Sequence, residues 1–258
     1  MSHCIITGGA DGIGRAVAER YARADYAVTL VDRDSTRGLA LCAALRSQGA
    51  SAAFVAADLS DAHAIASALA ELGQLPPADV VVHSAGISAV GAFAGAALAA
   101  QHAVLDVNLR APLLLTAGLL ARGRVASGGT LVFIASLSVF TGYPGAAVYA
   151  ASKDGVAAYA RSLRAALAQR GINVLTVYPG PTRTAHARRY SPDNRREGRR
   201  MAPERLAELL VAAVERRQAT LIPGAGNRIF AILGRLCPPL LDYAMRKTIL
   251  EKLATPGA

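Results

Sequence analysis

No apolar run in this chain reaches the roughly 18 residues that a bilayer-spanning helix requires, so no segment is expected to cross a membrane. The first strand-like run begins at His3, which leaves no room for a leader and predicts a cytoplasmic protein. Cysteine is scarce. Cys4, Cys42 and Cys237 are widely spaced, form no metal-type cluster and leave an odd thiol. Buried, reduced cysteines are therefore expected rather than a disulfide framework or a metal site. Charged residues make up only 18% of the chain and hydrophobic ones 53%. That balance excludes a disordered chain and permits a sizeable core in 258 residues.

Acids are short at one end. Residues 1–182 hold 13 Lys and Arg against 11 Asp and Glu, whereas residues 183–258 hold 15 against 7. The net charge of +10 thus belongs mainly to the C-terminal region. Such a field suits an anionic substrate, an acidic partner or a membrane surface. Neither a reading helix nor an aromatic platform accompanies it, which argues against nucleic acid.

Short apolar or β-branched runs alternate with longer helical patterns. Strands are expected at 3–7, 27–31, 51–56, 79–83, 130–135, 173–178 and 220–222, and helices near 12–24, 35–48, 61–72, 99–122, 148–170 and 203–217. Most of the strand runs are continuously apolar, as in parallel strands buried on both faces. The alternation predicts a single doubly wound α/β domain: a parallel sheet of about seven strands, helices on both faces, and a ligand crevice at the carboxyl ends.

The first strand ends in Thr7-Gly8-Gly9-Ala10-Asp11-Gly12-Ile13-Gly14, and a helical pattern follows at once. Glycines there allow a tight turn and close approach to a pyrophosphate, which the helix N-terminus favours. Read plainly, the same residues make a strand-to-helix turn. Asp32 ends the second strand, close to the spacing at which an acid meets the adenosine ribose. Its carboxylate would repel a 2′-phosphate, favouring NAD over NADP. Arg33 could instead pair with that phosphate, and Asp32, Asp34 or Ser35 could simply cap the next helix.

Tyr149 and Lys153 stand four residues apart on a helical pattern, hence on one face. An ammonium beside a phenol is expected to lower a pKa that is about 10 unperturbed. The pair could then exchange protons near neutral pH, or be no more than a solvated surface pair.

Taken together, these residues resemble the single-domain short-chain dehydrogenases/reductases over about residues 3–225. The glycine turn looks like TGxxxGxG, and Tyr149 with Lys153 like YxxxK. Ser136 lies 13 residues before Tyr149, and Asn108, Asp58 and the Pro179–Thr184 segment fall in matching order. The resemblance implies an alcohol/ketone oxidoreductase. Tyr149 would pass the proton, Lys153 would tune it and hold the nicotinamide ribose, Ser136 would bind the substrate oxygen, and Asn108 would hold a water. It implies a cofactor site of Thr7, Gly8, Asp11, Gly12, Ile13, Gly14, Asp32, Arg33, Asp58, Leu59, Ser84, Ala85, Gly86, Asn108, Tyr149, Lys153, Pro179, Gly180, Thr182 and Thr184. Ser138 competes for the role of Ser136. His83 and Ser84 stand where the family usually has two asparagines, and His83 reads as structural. The alternative to an enzyme is a nucleotide-sensing or scaffold protein that kept the fold and lost turnover.

Two segments are unusual. Residues 184–202 form a polar segment, which the resemblance implies is a lid over the substrate, with Arg188, Arg189, Arg195, Arg196, Arg199 and Arg200, just after Arg183. These arginines could hold a carboxylate, a phosphate or an acidic carrier protein, or be a solvated run. Beyond the main domain (1–226), residues 227–258 form an amphipathic helical extension. Ile229, Ile232, Leu233 and Leu236 repeat at helical spacing, Pro238-Pro239 breaks the pattern, and Leu240, Leu241, Ala244, Met245, Ile249 and Leu253 resume it. Packing over the cleft together with a homodimer contact is the favoured use. Contact with an anionic membrane surface is the other.

Overall fold

Strands that are apolar at every position need cover on both faces, and the computed structural model supplies it. It describes residues 1–91, 95, 97–191, 194, 195 and 197–250. Residues 92–94 and 96, in an Ala-rich stretch (92–100) expected as helix surface and loop, lie outside the described residues, as do Arg196 of the basic segment and Leu253 of the extension.

The strands are β1 (His3–Thr7), β2 (Ala27–Asp32), β3 (Ala52–Ala56), β4 (Ala78–His83), β5 (Val125–Ile134), β6 (Asn173–Val177) and β7 (Thr220–Leu221). All pair in parallel, in the order β3-β2-β1-β4-β5-β6-β7. On one face α1 (Gly12–Ala22), α2 (Ser35–Ser47) and α8 (Pro203–Glu215) cover Cys4, Ile6, Leu30, Val82 and Leu175. On the other, α3 (Ala62–Leu72), α5 (Ala111–Ala121) and α6 (Ala147–Leu167) cover Ile5, Val31, Val81 and Phe133. The chain therefore has a Rossmann-type fold of three layers.

Three expectations need correction. The strand read as 130–135 starts at Val125. Gly128 takes a left-handed φ of +77°, and the register against β4 slips between Ala78 and Val80, so the strand continues N-terminal to Thr130 through an irregularity at the glycine pair. Second, no segment is expected to suffice for a membrane span, yet α4 (Leu98–Leu105), a π-helical turn (Asp106–Arg110) and α5 run on as one helix, Leu98–Ala121, in keeping with the helical pattern near 99–122. Its 24 residues are long and apolar enough to cross a bilayer by length and composition. Here Val104, Ala111, Leu115 and Leu119 are buried in protein, and Arg110 pairs with Asp106 at 3.3 Å, so it serves as a core helix. Third, Cys237 is exposed, although Cys4 and Cys42 are buried.

The extension forms α9 (Ala225–Leu236), α10 (Pro238–Met245) and a final turn, Arg246–Leu250. It is tied to the loop after β5: Asp242 Oδ1 accepts from the Gly142 N–H at 3.2 Å.

Phe133 fills the centre of the layer covered by α3, α5 and α6. It is fully buried, stacked on His83 at 4.9 Å and set edge-on to Tyr159 at 5.8 Å. Phe133→Ala is expected to lower stability in urea unfolding by about 3–5 kcal/mol, and a loss below 1 kcal/mol would show that the core recloses around the gap.

Candidate active site

The strand order reverses between β1 and β4, and there the carboxyl ends open into one cleft of about 1450 Å³. The glycine turn shapes one wall. A Cβ on Gly8 (φ +66°) would lie 2.7 Å from the Ala85 backbone, and one on Gly14 would lie 2.1 Å from the Gly8 carbonyl. Gly12 (φ +56°) faces the Thr184 methyl, 3.3 Å from where its Cβ would stand. Bare backbone at the N-terminus of α1 thus borders the cleft, the arrangement that accommodates a dinucleotide pyrophosphate. On this test the residues present fit a nicotinamide dinucleotide.

Asp11 caps α1, accepting from the Gly12 N–H at 2.7 Å. Asp32 is held from both sides: Oδ2 accepts from the Ala10 N–H and Oδ1 from the Asp34 N–H, each at 3.1 Å. The cap of α2 is Asp34. Arg33 leans to Asp58 at 4.0 Å, and Arg37 pairs with Asp11 at 3.2 Å. Asp58 accepts from the Ser60 N–H and hydroxyl, which hold its carboxyl below the usual range. Four carboxylates and two guanidiniums therefore line this end of the cleft.

Ile13, Leu59, Ser84, Ala85, Gly86, Pro179, Gly180, Thr182 and Thr184 line it as well. Thr7, Gly14 and Asn108 stand behind the wall. The Thr7 hydroxyl accepts from the Ser84 and Ala85 N–H groups at 3.2 Å. Asn108 sits on the π-helical turn; its Oδ1 accepts from the Ile87 N–H, and its Nδ2 donates to Ile87 O and Ser152 Oγ. Both amide hydrogens are committed to protein atoms, so Asn108 clamps the loop after β4. Thr184 caps a short helix, α7 (Ala185–Tyr190).

Tyr149 and Lys153 share one face of α6, and Ser136 comes from the end of β5. The Lys153 Nζ is buried, donates to Ile134 O at 2.9 Å and lies 5.8 Å from the Tyr149 ring centre. A Cβ on Gly86 would stand 3.4 Å from both Lys153 Nζ and Asn108 Oδ1. Ser136 Oγ accepts from the Ser138 N–H, and the Ser138 hydroxyl is buried with no partner among the described residues. The electrostatics differ from expectation. Burial dominates both partners, pushing the Tyr149 phenol up to about 12 and the Lys153 ammonium down to about 8. The Ser136 hydroxyl offsets the rise at Tyr149; the ammonium does not reverse it.

Three further rings line the cleft beyond Tyr149: Tyr143 at 6.2 Å, His186 at 6.5 Å, and Tyr190 at 4.9 Å from His186. Burial, then the nearby Lys153 and Arg189 charges, push His186 down to about 4, so it is neutral. None of the three stood out in the sequence, because no motif spacing marks them. After Thr184, Arg188 forks onto Glu197, and Arg200 donates to Ser191 Oγ and Asn194 Oδ1. These two arginines tie the described parts of the segment to one another. Phe230, Met245 and Ile249 of the extension close the far side.

The model of the family described as short chain dehydrogenase matches residues 2–195. A 3beta-hydroxysteroid dehydrogenase of Mediterraneibacter gnavus is 32% identical over 204 residues, covering 73% of this chain and 69% of the relative. Among solved structures, a short-chain dehydrogenase from Sphingobium yanoikuyae in complex with NADPH superposes with a TM-score of 0.80 at 28% identity, over 94% of this chain and 96% of that one. A bulky-bulky ketone specific alcohol dehydrogenase from Comamonas testosteroni gives 0.78 at 26%, over 93% and 94%.

His83 is buried, bonded through Nε2 to the Thr116 hydroxyl at 2.9 Å, and its Nδ1 has no partner among the described residues. Burial holds its pKa at about 3, against 6.5 ordinarily. The folded chain resists protonating this ring. Stability linked to it is therefore whole above pH 6.5 and is lost as the pH falls toward 3. Replacing it with the smaller amide, His83→Asn, is expected to flatten the stability-versus-pH slope between pH 6 and 5 by about 1 kcal/mol per pH unit. Equal slopes in paired denaturation series would assign the acid sensitivity elsewhere.

Proposed function

The chain belongs to the short-chain dehydrogenase family, and from that premise we propose that it moves a hydride between NAD(H) and a bulky, apolar alcohol or ketone, with Tyr149 giving or taking the proton. The observation that carries this reading is the meeting of Tyr149, Lys153 and Ser136 beside Gly86, at the mouth of a glycine-walled cleft.

A nicotinamide, when bound, supplies the hydride; the side chains handle the oxygen and the proton. Ser136 accepts from Ser138, so its own hydrogen is left for the Tyr149 oxygen or the substrate oxygen. There it stabilises developing negative charge. A phenol raised to about 12 is protonated near neutral pH and suited to donate during ketone reduction. Lys153, its Nζ on Ile134 O, keeps hydrogens for ribose hydroxyls, and Asn108 positions the loop that packs against it. The rings of Tyr143, His186 and Tyr190, with Phe230, Met245 and Ile249, favour a large apolar substrate under the 184–202 lid. The relatives that act on hydroxysteroids or bulky ketones fit the same reading. Residues 227–250 act as an extension of the same domain. A homo-oligomer would draw on the exposed Leu98, Leu105 and Leu114 of the α4–α5 helix.

Asp32 supports NAD over NADP. Its carboxylate is fixed at the end of β2, and Arg33 and Arg37 already face carboxylates. A 2′-phosphate would meet net negative charge.

Two assays test the proposal, each following NADH absorbance across bulky ketones. Tyr149→Phe should cut kcat about 100- to 10,000-fold while NADH still binds; a full rate would show that another group moves the proton. If the wild type binds NADH yet turns over no substrate, the nucleotide-sensing reading stands instead. The wild type should also prefer NAD by about tenfold or more in kcat/KM, and Asp32→Ala should narrow that ratio. Equal use of NADP by the wild type would defeat the Asp32 argument.

A further inference from the structure

Helix α9 turns Ala231 and Gly234 toward the protein and, Phe230 apart, its large apolar residues away. Ala231 is buried, and a Cβ on Gly234 would lie 2.0 Å from the Phe140 carbonyl oxygen. On the opposite side Ile229, Ile232, Leu233 and Leu236 stand at i, i+3, i+4 and i+7, with Ile229 59%, Ile232 56% and Leu236 74% exposed. Leu240 and Tyr243 on the next helix, α10, are exposed as well. Scattered apolar residues are ordinary on protein surfaces, but four at helical spacing on one exposed helix face mark a contact face.

The charges of this segment bear on its occupant, although Arg228 Nε donates to Ile222 O and the Arg235 guanidinium lies over the Phe140 ring. Between Ala225 and Leu250 the basic residues are Arg228, Arg235, Arg246 and Lys247. The single acid in that range is Asp242, whose Oδ1 is engaged by the Gly142 N–H. Arg246 and Lys247 lie over the Tyr243 ring at 5.5 and 5.8 Å, which sets cations beside an amphipathic aromatic. A second copy on this face would bring like charges together. An anionic bilayer surface takes the apolar stripe and the cations at once. Helices of 12 and 8 residues are too short to cross the hydrocarbon.

We propose that α9 and α10 dock this protein on an anionic membrane surface, with Ile229, Ile232, Leu233, Leu236 and Leu240 immersed and the basic side chains at headgroup level. Phe230, Met245 and Ile249 on the same segment line the cleft, so the docked face is also the cover of its substrate end.

The full chain is floated with vesicles of phosphatidylglycerol and phosphatidylcholine in equal parts, and with phosphatidylcholine alone. It should float with the anionic vesicles, less so as salt is raised, and weakly with the neutral ones. Ile232→Glu with Leu236→Glu should reduce partitioning by about a hundredfold or more. Arg228→Glu with Arg246→Glu should remove the preference for anionic lipid. Both variants should keep the wild-type melting temperature and NADH affinity; if the first pair unfolds, Leu236→Ser with Leu240→Ser gives the same reading. The proposal is overturned by failure of the wild type to float, or by equal binding to neutral vesicles. It also fails if sedimentation shows a dimer that the Ile232→Glu/Leu236→Glu pair dissolves while flotation is unchanged, since the face would then belong to a second copy.

Discussion

The ends of β1 and β4 are held together by one hydroxyl and one missing side chain. Thr7 Oγ1 accepts from the Ser84 and Ala85 N–H groups, and Gly8 lies too close to Ala85 for any Cβ. These two strands adjoin where the strand order reverses, so that contact sets the shape of the cleft. It fixes Gly86 next to Asn108 and Lys153, and from there α6 carries Tyr149 toward Ser136. A side chain at position 8 would push this wall outward and disturb everything behind it.

Desolvation governs the chemistry of that corner more than pairwise charge does. A half-buried phenol at the cleft wall and a buried ammonium behind it are each driven toward the neutral form. Lys153 regains part of its hydration by donating to Ile134 O, and Tyr149 by its neighbour Ser136. The same force keeps His83 and His186 neutral. The two ends of the cleft then differ in kind. The end beside β2 carries fixed carboxylates, while the far end is built of rings and aliphatic side chains. A polar, doubly hydroxylated group suits the first, and apolar bulk suits the second.

The extension shows how packing reverses a simple reading of amphipathicity. Four large apolar residues at helical spacing ordinarily mark the buried face. Here the Phe140 carbonyl approaches the helix so closely that no Cβ fits at Gly234, and Ala231 is buried in the same cluster. The helix is rotated accordingly, and its apolar stripe is turned outward.

Local patterns were sufficient for the architecture. Continuous apolar strands, the glycine turn and the strand-helix alternation are short-range signals, and the sheet with helices on both faces follows from them by burial and handedness. The pairing of Tyr149 with Lys153 was equally legible, since an i,i+4 helix pair is local geometry, whereas Ser136 was marked only by its resemblance to the family's spacing. Tertiary structure decided the rest. Whether Thr7 and Asn108 face the cleft or brace it depends on which backbone groups come near. That Tyr143, His186 and Tyr190 gather around Tyr149 depends on how a lid folds back. The direction of both pKa shifts, and the outward face of α9, depend on atoms distant in sequence, because burial is a property of the folded whole rather than of any segment.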